Sequence, residues 1–255
     1  MKPNFSPSSI STYIQCPYAK KLKDELNIIT DPTMAMREGL LFEGYLFGFK
    51  EGVQSQAEGS KKAAGLNFIQ EQANFLKPIF KDGGQSFTWI ETESKYWKLR
   101  GEIDYYGNVD TKLLSDLCGQ SIDPFLSVSI VDVKYTSNIQ KIWDAKSERE
   151  ELLQSICYPY MIWKNTGEKV PFFYLLVDNQ FQKPIIRVQQ VLYTDYDFEY
   201  IERMLNICSN DVFLEPKISD DTCGGQRQYQ SRCRYAEYCE HGRAFIGGYK
   251  QTIFK

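Results

Sequence analysis

The spacing of polar and apolar positions changes character twice along this chain. Ser6-Pro7-Ser8-Ser9 precedes Ile10, Tyr13 and Ile14, the spacing of a helix entered through a serine cap. Cys16-Pro17 interrupts it, because proline ends a helix or opens a fresh first turn, and Lys20 to Asn27 resumes as a short amphipathic helix. Met34 to Lys50 is helical, with Gly39, Glu43 and Phe47 at four-residue steps; Ala57 to Phe80 is another helix, ended by Asp82-Gly83-Gly84. The period then shortens to that of strands. Gln85–Glu93 and Tyr96–Tyr106 read as a hairpin about Ser94-Lys95. A polar insertion over Gly107–Pro124 leads to a strand over Phe125–Tyr135. Ser147–Lys164 returns to helix, with Leu152, Leu153, Ile156, Tyr160 and Trp163 as its apolar stripe and a bend at Pro159. Strands over Val170–Val177 and Ile185–Leu192 and a helix over Asp195–Cys208 follow. The tail from Glu215 is polar and too weakly periodic to fold without a cross-link.

The strand Ile130–Tyr135 is the centre of this pattern. Residues two apart on a strand share a face, so Asp132 and Lys134 project together while Val131 and Val133 enter the core. Two buried opposite charges are costly unless they have a partner or a task; a salt bridge at a sheet edge is the plain alternative. About 30 residues earlier, Gly101-Glu102-Ile103-Asp104 sets Glu102 and Asp104 on one strand face. If the two strands pair, Asp104 and Asp132 converge on a point where one divalent cation fits. Mg²⁺ takes oxygen ligands, commonly one or two carboxylates plus substrate phosphate. Gln154 and Tyr158, one helical turn apart, reach a common point over that site. Gly39 lets its helix pack closely and brings Glu43 towards the sheet. Each of these also reads as ordinary polar surface.

Composition narrows the field. At 255 residues, 42% hydrophobic and 25% charged, the chain is large enough for one sizeable core. Its longest apolar run, Phe172–Val177, is far too short to span a bilayer. No apolar leader follows the N-terminus, so an intracellular location is expected. A net charge of −3 argues against bulk-charge attraction to nucleic acid. The charge is uneven, however: residues 1–23 and 227–255 each carry +4, leaving −11 between them. Seven cysteines, an odd number, do not make a disulfide framework. Cys16 with Cys223, Cys233 and Cys239 has the makings of a four-thiolate site for an iron–sulfur cluster or a structural Zn²⁺, with basic residues near both ends offsetting its charge. Cys118, Cys157 and Cys208 read as ordinary thiols.

Taken in order, these pieces resemble the RecB-type branch of the PD-(D/E)xK nuclease superfamily, in the iron–sulfur subgroup that includes the AddB nuclease domain and the CRISPR adaptation exonucleases. The resemblance rests on Ser8–Pro17 with Cys16-Pro17, Gly39…Glu43, Gly101…Asp104, Asp132-Val133-Lys134, Gln154…Tyr158 and the cysteine tail, and it covers nearly the whole chain. It implies an α/β fold: a central mixed sheet flanked by helices, a restriction-endonuclease-like core over residues 31–209, and a cysteine-pinned subdomain from residues 1–30 and 210–255. It implies a Mg²⁺- or Mn²⁺-dependent deoxyribonuclease, an exonuclease on single-stranded or end-containing DNA, in a phage, recombination or related setting. Asp104, Asp132 and Glu43 would hold the metal, Lys134 would serve the attacking water, and Gln154 and Tyr158 would position substrate or Lys134. Cys16, Cys223, Cys233 and Cys239 would bind a 4Fe–4S cluster, or else Zn²⁺. A catalytically idle iron–sulfur subunit that binds DNA is the rival reading. Two departures stand out: an acid at position 43 where many relatives carry His, and the widened step between Cys223 and Cys233.

Overall fold

The computed structural model describes residues 2–26, 34–50, 63–119, 121–123, 128–136, 139, 152–180 and 184–210. The elements are β1 (Asn4–Phe5), α1 (Pro7–Gln15), α2 (Pro17–Leu26), α3 (Met34–Phe47), α4 (Ala63–Leu76) with a 3₁₀ turn at Lys77–Ile79, β2 (Gln85–Glu93) and β3 (Lys98–Asn108). Then come α5 (Thr111–Cys118), β4 (Val128–Thr136), α6 (Leu152–Thr166), β5 (Phe172–Asp178), β6 (Ile186–Val191) and α7 (Asp195–Asn210).

Local chemistry sets the element ends. Ser6 and Ser9 form a reciprocal capping box at the start of α1, whose first residue is Pro7. The Cys16-Pro17 step separates α1 from α2 as its sequence requires. Two readings are corrected. The insertion after Gly107 is not simply polar: Asp110 caps the N-terminus of α5 by accepting from the Leu113 N–H at 2.9 Å, and Gly119 closes it in the left-handed conformation. Leu113, Leu114 and Leu117 give α5 its apolar side, which a run averaged over polar neighbours conceals. The two-residue strand β1 was also not foreseen, being too short to show a period.

The sheet is mixed. β2 runs antiparallel along one edge of β3. The other edge of β3 is shared: β1 pairs with it in parallel at Lys98 and Leu99, and β4 antiparallel at Tyr105 to Asn108. β4 and β5 are parallel neighbours joined through α6, and β6 completes the sheet antiparallel to β5. This βαβ unit explains why every residue of β5 is buried. On one face of the sheet α1, α6 and α7 enclose Ile10, Trp97, Ile103, Tyr160, Phe172 and Phe198; on the other α3, α4 and α5 enclose Leu41, Phe42, Ile69, Tyr105, Val131 and Val133. Side chains of this size each contribute roughly 1.5–3 kcal/mol when fully buried, so the two cores fix the sheet that carries the polar cluster. The helix α6 continues through Pro159. None of its helices is long and apolar enough to cross a membrane, among the described residues.

Candidate active site

β4 delivers Asp132 and Lys134 as its alternation predicts. Val131 and Val133 enter the core beneath α3, and Asp132, only 1% exposed, lies on the opposite side with Lys134. The Lys134 Nζ is 2.5 Å from the Asp132 Oδ2. It also donates to the Gln154 Oε1 at 3.4 Å, and the Gln154 Nε2 in turn donates to the Tyr158 hydroxyl at 3.1 Å. One turn of α6 thus sits over the lysine.

Asp104 reaches this pair from the neighbouring strand. The Tyr105–Val131 pairing sets Asp104 opposite Asp132, but the backbone ladder between β3 and β4 ends at that rung. In its place the Asp104 Oδ2 accepts the Val133 N–H at 2.9 Å. A side chain therefore supplies the hydrogen bond where the strands part. β2 is irregular at the same level: its pairing with β3 omits a Phe87–Asp104 step, and Phe87 has φ +50°. For a bulky residue that is a strained backbone, the kind that clusters at functional sites. Gly101 has a separate reason to be glycine. A Cβ there would lie 2.5 Å from the Tyr158 ring.

Glu43 comes from α3. That helix is held to β4 by Phe42, which stacks on Tyr135 with ring centroids 4.5 Å apart and planes 15° from parallel. The Tyr135 hydroxyl donates to the buried Gln72 Oε1 at 2.5 Å, and the Gln72 Nε2 donates to the Asp178 carbonyl at 3.3 Å. The expectation for Gly39 is corrected. Among the described residues a Cβ on it would meet nothing; Gly44 is the tight position, with the Phe49 ring 2.3 Å away.

The electrostatics are those of a crowded acid cluster. Glu43 is pushed up to about 7, mainly by burial, with the Asp132 and Glu102 charges adding and Lys134 and Lys50 opposing. Burial also raises Asp104 well above the carboxylate range, and the charges of Asp132 and Glu43 raise it further. For Lys134, burial pulls downward, yet Asp132 and Asp104 outweigh it and hold the ammonium above its ordinary value. Glu43 and Asp104 are thus each destabilised by burial and by neighbouring carboxylates, the condition that a cation relieves.

No three Asp, Glu, His or Cys side chains converge on one ion position among the described residues. The donor chemistry nonetheless fits Mg²⁺ or Mn²⁺, which keep several waters and need only one or two protein carboxylates.

Glu102, which the sequence places on one strand face with Asp104 but gives no role, accepts from the Lys50 Nζ at 2.7 Å. Lys50 carries no sequence signal, lying three residues beyond the end of α3. Of the cysteines, Cys16 is buried at the α1–α2 break against Ala19 and Leu22, one turn before the buried Lys20. Cys223, Cys233 and Cys239 lie outside the described residues. Cys157 is fully buried in the sheet core, and burial pushes its thiol up, as befits an inert packing group.

No family model matches the chain, and no curated protein matches it. Among solved structures it is similar to the crystal structure of a candidate exonuclease from Eubacterium rectale, with 18% identity and a TM-score of 0.56, covering 92% of each chain. At that identity the likeness is one of fold. The crystal structure of SSO0001 is 10% identical, with a TM-score of 0.42 over 95% of this chain and 88% of that one, too weak a likeness to build on.

Proposed function

We propose that this chain is a divalent-metal-dependent DNA nuclease of the RecB-type PD-(D/E)xK branch, an exonuclease on single-stranded or end-containing DNA. The observation that carries the proposal is the meeting of Asp104, Asp132, Lys134, Gln154 and Tyr158, drawn from three separate elements, around one ion pair, with Glu43 of a fourth element near enough for the charges of Lys134 and Asp132 to act on it. The likeness of fold to a protein named as a candidate exonuclease points the same way.

Glu43, Asp104 and Asp132 would hold Mg²⁺ or Mn²⁺ between them, one or two directly and the rest through the ion's waters. When bound, the cation supplies a Lewis acid at the phosphate and lowers the pKa of water there. The remaining work falls to the chain's own groups. Lys134, charged at neutral pH, orients the attacking water and meets the negative charge that builds on the phosphate. Gln154 fixes the ammonium by accepting from it, and Tyr158 fixes Gln154. Asp132 holds the lysine from below. At the other end of the chain, Cys16 would join Cys223, Cys233 and Cys239 around a 4Fe–4S cluster or Zn²⁺, cross-linking the two termini into a small subdomain. Four thiolates suit either group, and Lys20 beside Cys16 provides charge of the right sign.

The test is cleavage of end-labelled single-stranded, duplex and circular DNA with Mn²⁺, beside a Lys134→Ala variant. Cleavage of linear but not circular DNA, lost in the variant, is expected. Cleavage of circles would make the enzyme an endonuclease. DNA bound but never cut would replace the nuclease with an idle DNA-binding subunit.

A further inference from the structure

The outer face of the β2–β3 hairpin adjoins the carboxylate cluster and carries an arrangement that the cluster does not use. Trp89 is 67% exposed and pairs directly with Glu102 across the strands. Paired residues of adjacent strands show their side chains on the same face, so the indole stands beside the Glu102 carboxylate. That carboxylate holds Lys50 at 2.7 Å, and the Lys50 Nζ lies 4.2 Å from the centroid of the Phe87 ring. Arg100, also exposed, is two residues before Glu102 on the same strand face.

A single exposed aromatic is ordinary on a protein surface; what sets Trp89 apart is its place beside a cation and a carboxylate. It stands across from Glu102 and its partly exposed Lys50, beside the carboxylate cluster that, on the nuclease reading, receives a polyanion. Lys134, on β4, is committed to Asp132 and Gln154, whereas Lys50, just past the end of α3, is held by the partly exposed Glu102 carboxylate. A flat aromatic face beside a cation is the pairing by which proteins grip single-stranded nucleic acid: one base stacks while its phosphate is neutralised.

Building on the nuclease reading, we propose that Trp89 and Lys50 form the entry subsite for a single strand, Trp89 stacking a base and Lys50 binding the adjoining phosphate once it leaves Glu102. Glu102 occupies Lys50 in the free protein and is displaced by the incoming phosphate. A duplex offers no free base face to Trp89, so the subsite favours unpaired ends.

Titration of an oligothymidylate into the full-length protein, with Ca²⁺ in place of Mn²⁺, tests this through tryptophan fluorescence at several salt concentrations. Binding should quench the wild-type emission. Trp89→Ala should lose most of that quench and weaken binding about 5- to 150-fold, the worth of one base–aromatic stack. Its salt dependence should not change, and Trp89→Phe should keep most of the affinity. Lys50→Met should lower the salt slope by about one phosphate contact. Glu102→Gln should tighten binding, whereas a purely structural Lys50–Glu102 pair would weaken it in both variants. A wild type that cleaves DNA while all four variants bind like it would overturn the subsite and leave the nuclease standing. A wild type that neither binds nor cleaves DNA would overturn both.

Discussion

Glu43 gives the most direct test of the cluster, because its effect appears before any substrate is added. In the folded, metal-free protein its carboxyl is held near 7, against 4.5 in the unfolded chain. A carboxyl raised in this way favours folding while protonated. Its contribution is fully present below 4.5 and is lost as the pH rises through 7. Each pKa unit is worth about 1.4 kcal/mol, so ionising Glu43 destabilises the metal-free fold by roughly 3 kcal/mol at pH 8. Asp104, raised for the same first reason, adds a loss of the same sign. About 2.5 kcal/mol of that loss falls between pH 5 and pH 8, and in a protein of this length roughly 2–4 °C of melting temperature accompanies each kcal/mol, so the melting point in chelator should fall by roughly 5–10 °C over that range. Glu43→Gln should flatten much of that slope, both by removing its own charge and by easing Asp104. Mn²⁺ should restore the wild type far more at pH 8 than at pH 5, since only ionised carboxylates hold it. The assay is thermal unfolding followed by circular dichroism. A Glu43→Gln protein with an undiminished slope would show that the acids do not act on one another, and the site would have to be redrawn.

Other consequences are equally open to measurement. Asp132→Ala should abolish Mn²⁺-dependent cleavage while the far-ultraviolet spectrum stays that of the wild type; wild-type activity in that variant would remove the proposed mechanism. Gly101→Ala drives a methyl group into the Tyr158 ring and should destabilise the fold by about 1–3 kcal/mol, read from the urea midpoint, where an unchanged midpoint would contradict the packing described. Tyr135→Phe removes the hydrogen bond to Gln72 and keeps the stack on Phe42, so it should retain more activity than Tyr135→Leu; equal losses would take the stack out of the placement of Glu43. Aerobically purified protein should be brown, and Cys16→Ser should bleach it; a colourless wild type containing stoichiometric zinc would make the thiolate site a zinc site.

The strand pattern and the placing of the acids were legible because their signals are local. The alternation around Asp132 and Lys134, the i, i+4 step from Gln154 to Tyr158 and the serine cap of α1 each depend on neighbours along the chain. Lys50 escaped notice because it meets Glu102 across 52 residues of sequence, in a loop with no period. The close packing expected at Gly39 falls at Gly44 for a related reason. Whether a glycine makes room for something depends on what the fold brings opposite, and Gly44 meets Phe49 while Gly39 faces open space among the described residues. The ladder's end at Asp104 was likewise invisible, since pairing of β3 with β4 follows from the pattern but the parting of the two strands does not.

That parting changes what the presence of each acid says about a protein's history. Asp104 also weakens the empty fold when ionised, but it supplies a hydrogen bond that the sheet would otherwise lack at Val133, so a lineage that abandoned cleavage would lose that bond by discarding it. Glu43, among the described residues, shows the cost without such a bond, and a lineage with no use for it would gain stability by discarding it. The acid that harms the scaffold without such a return is therefore the better witness that the site is in use.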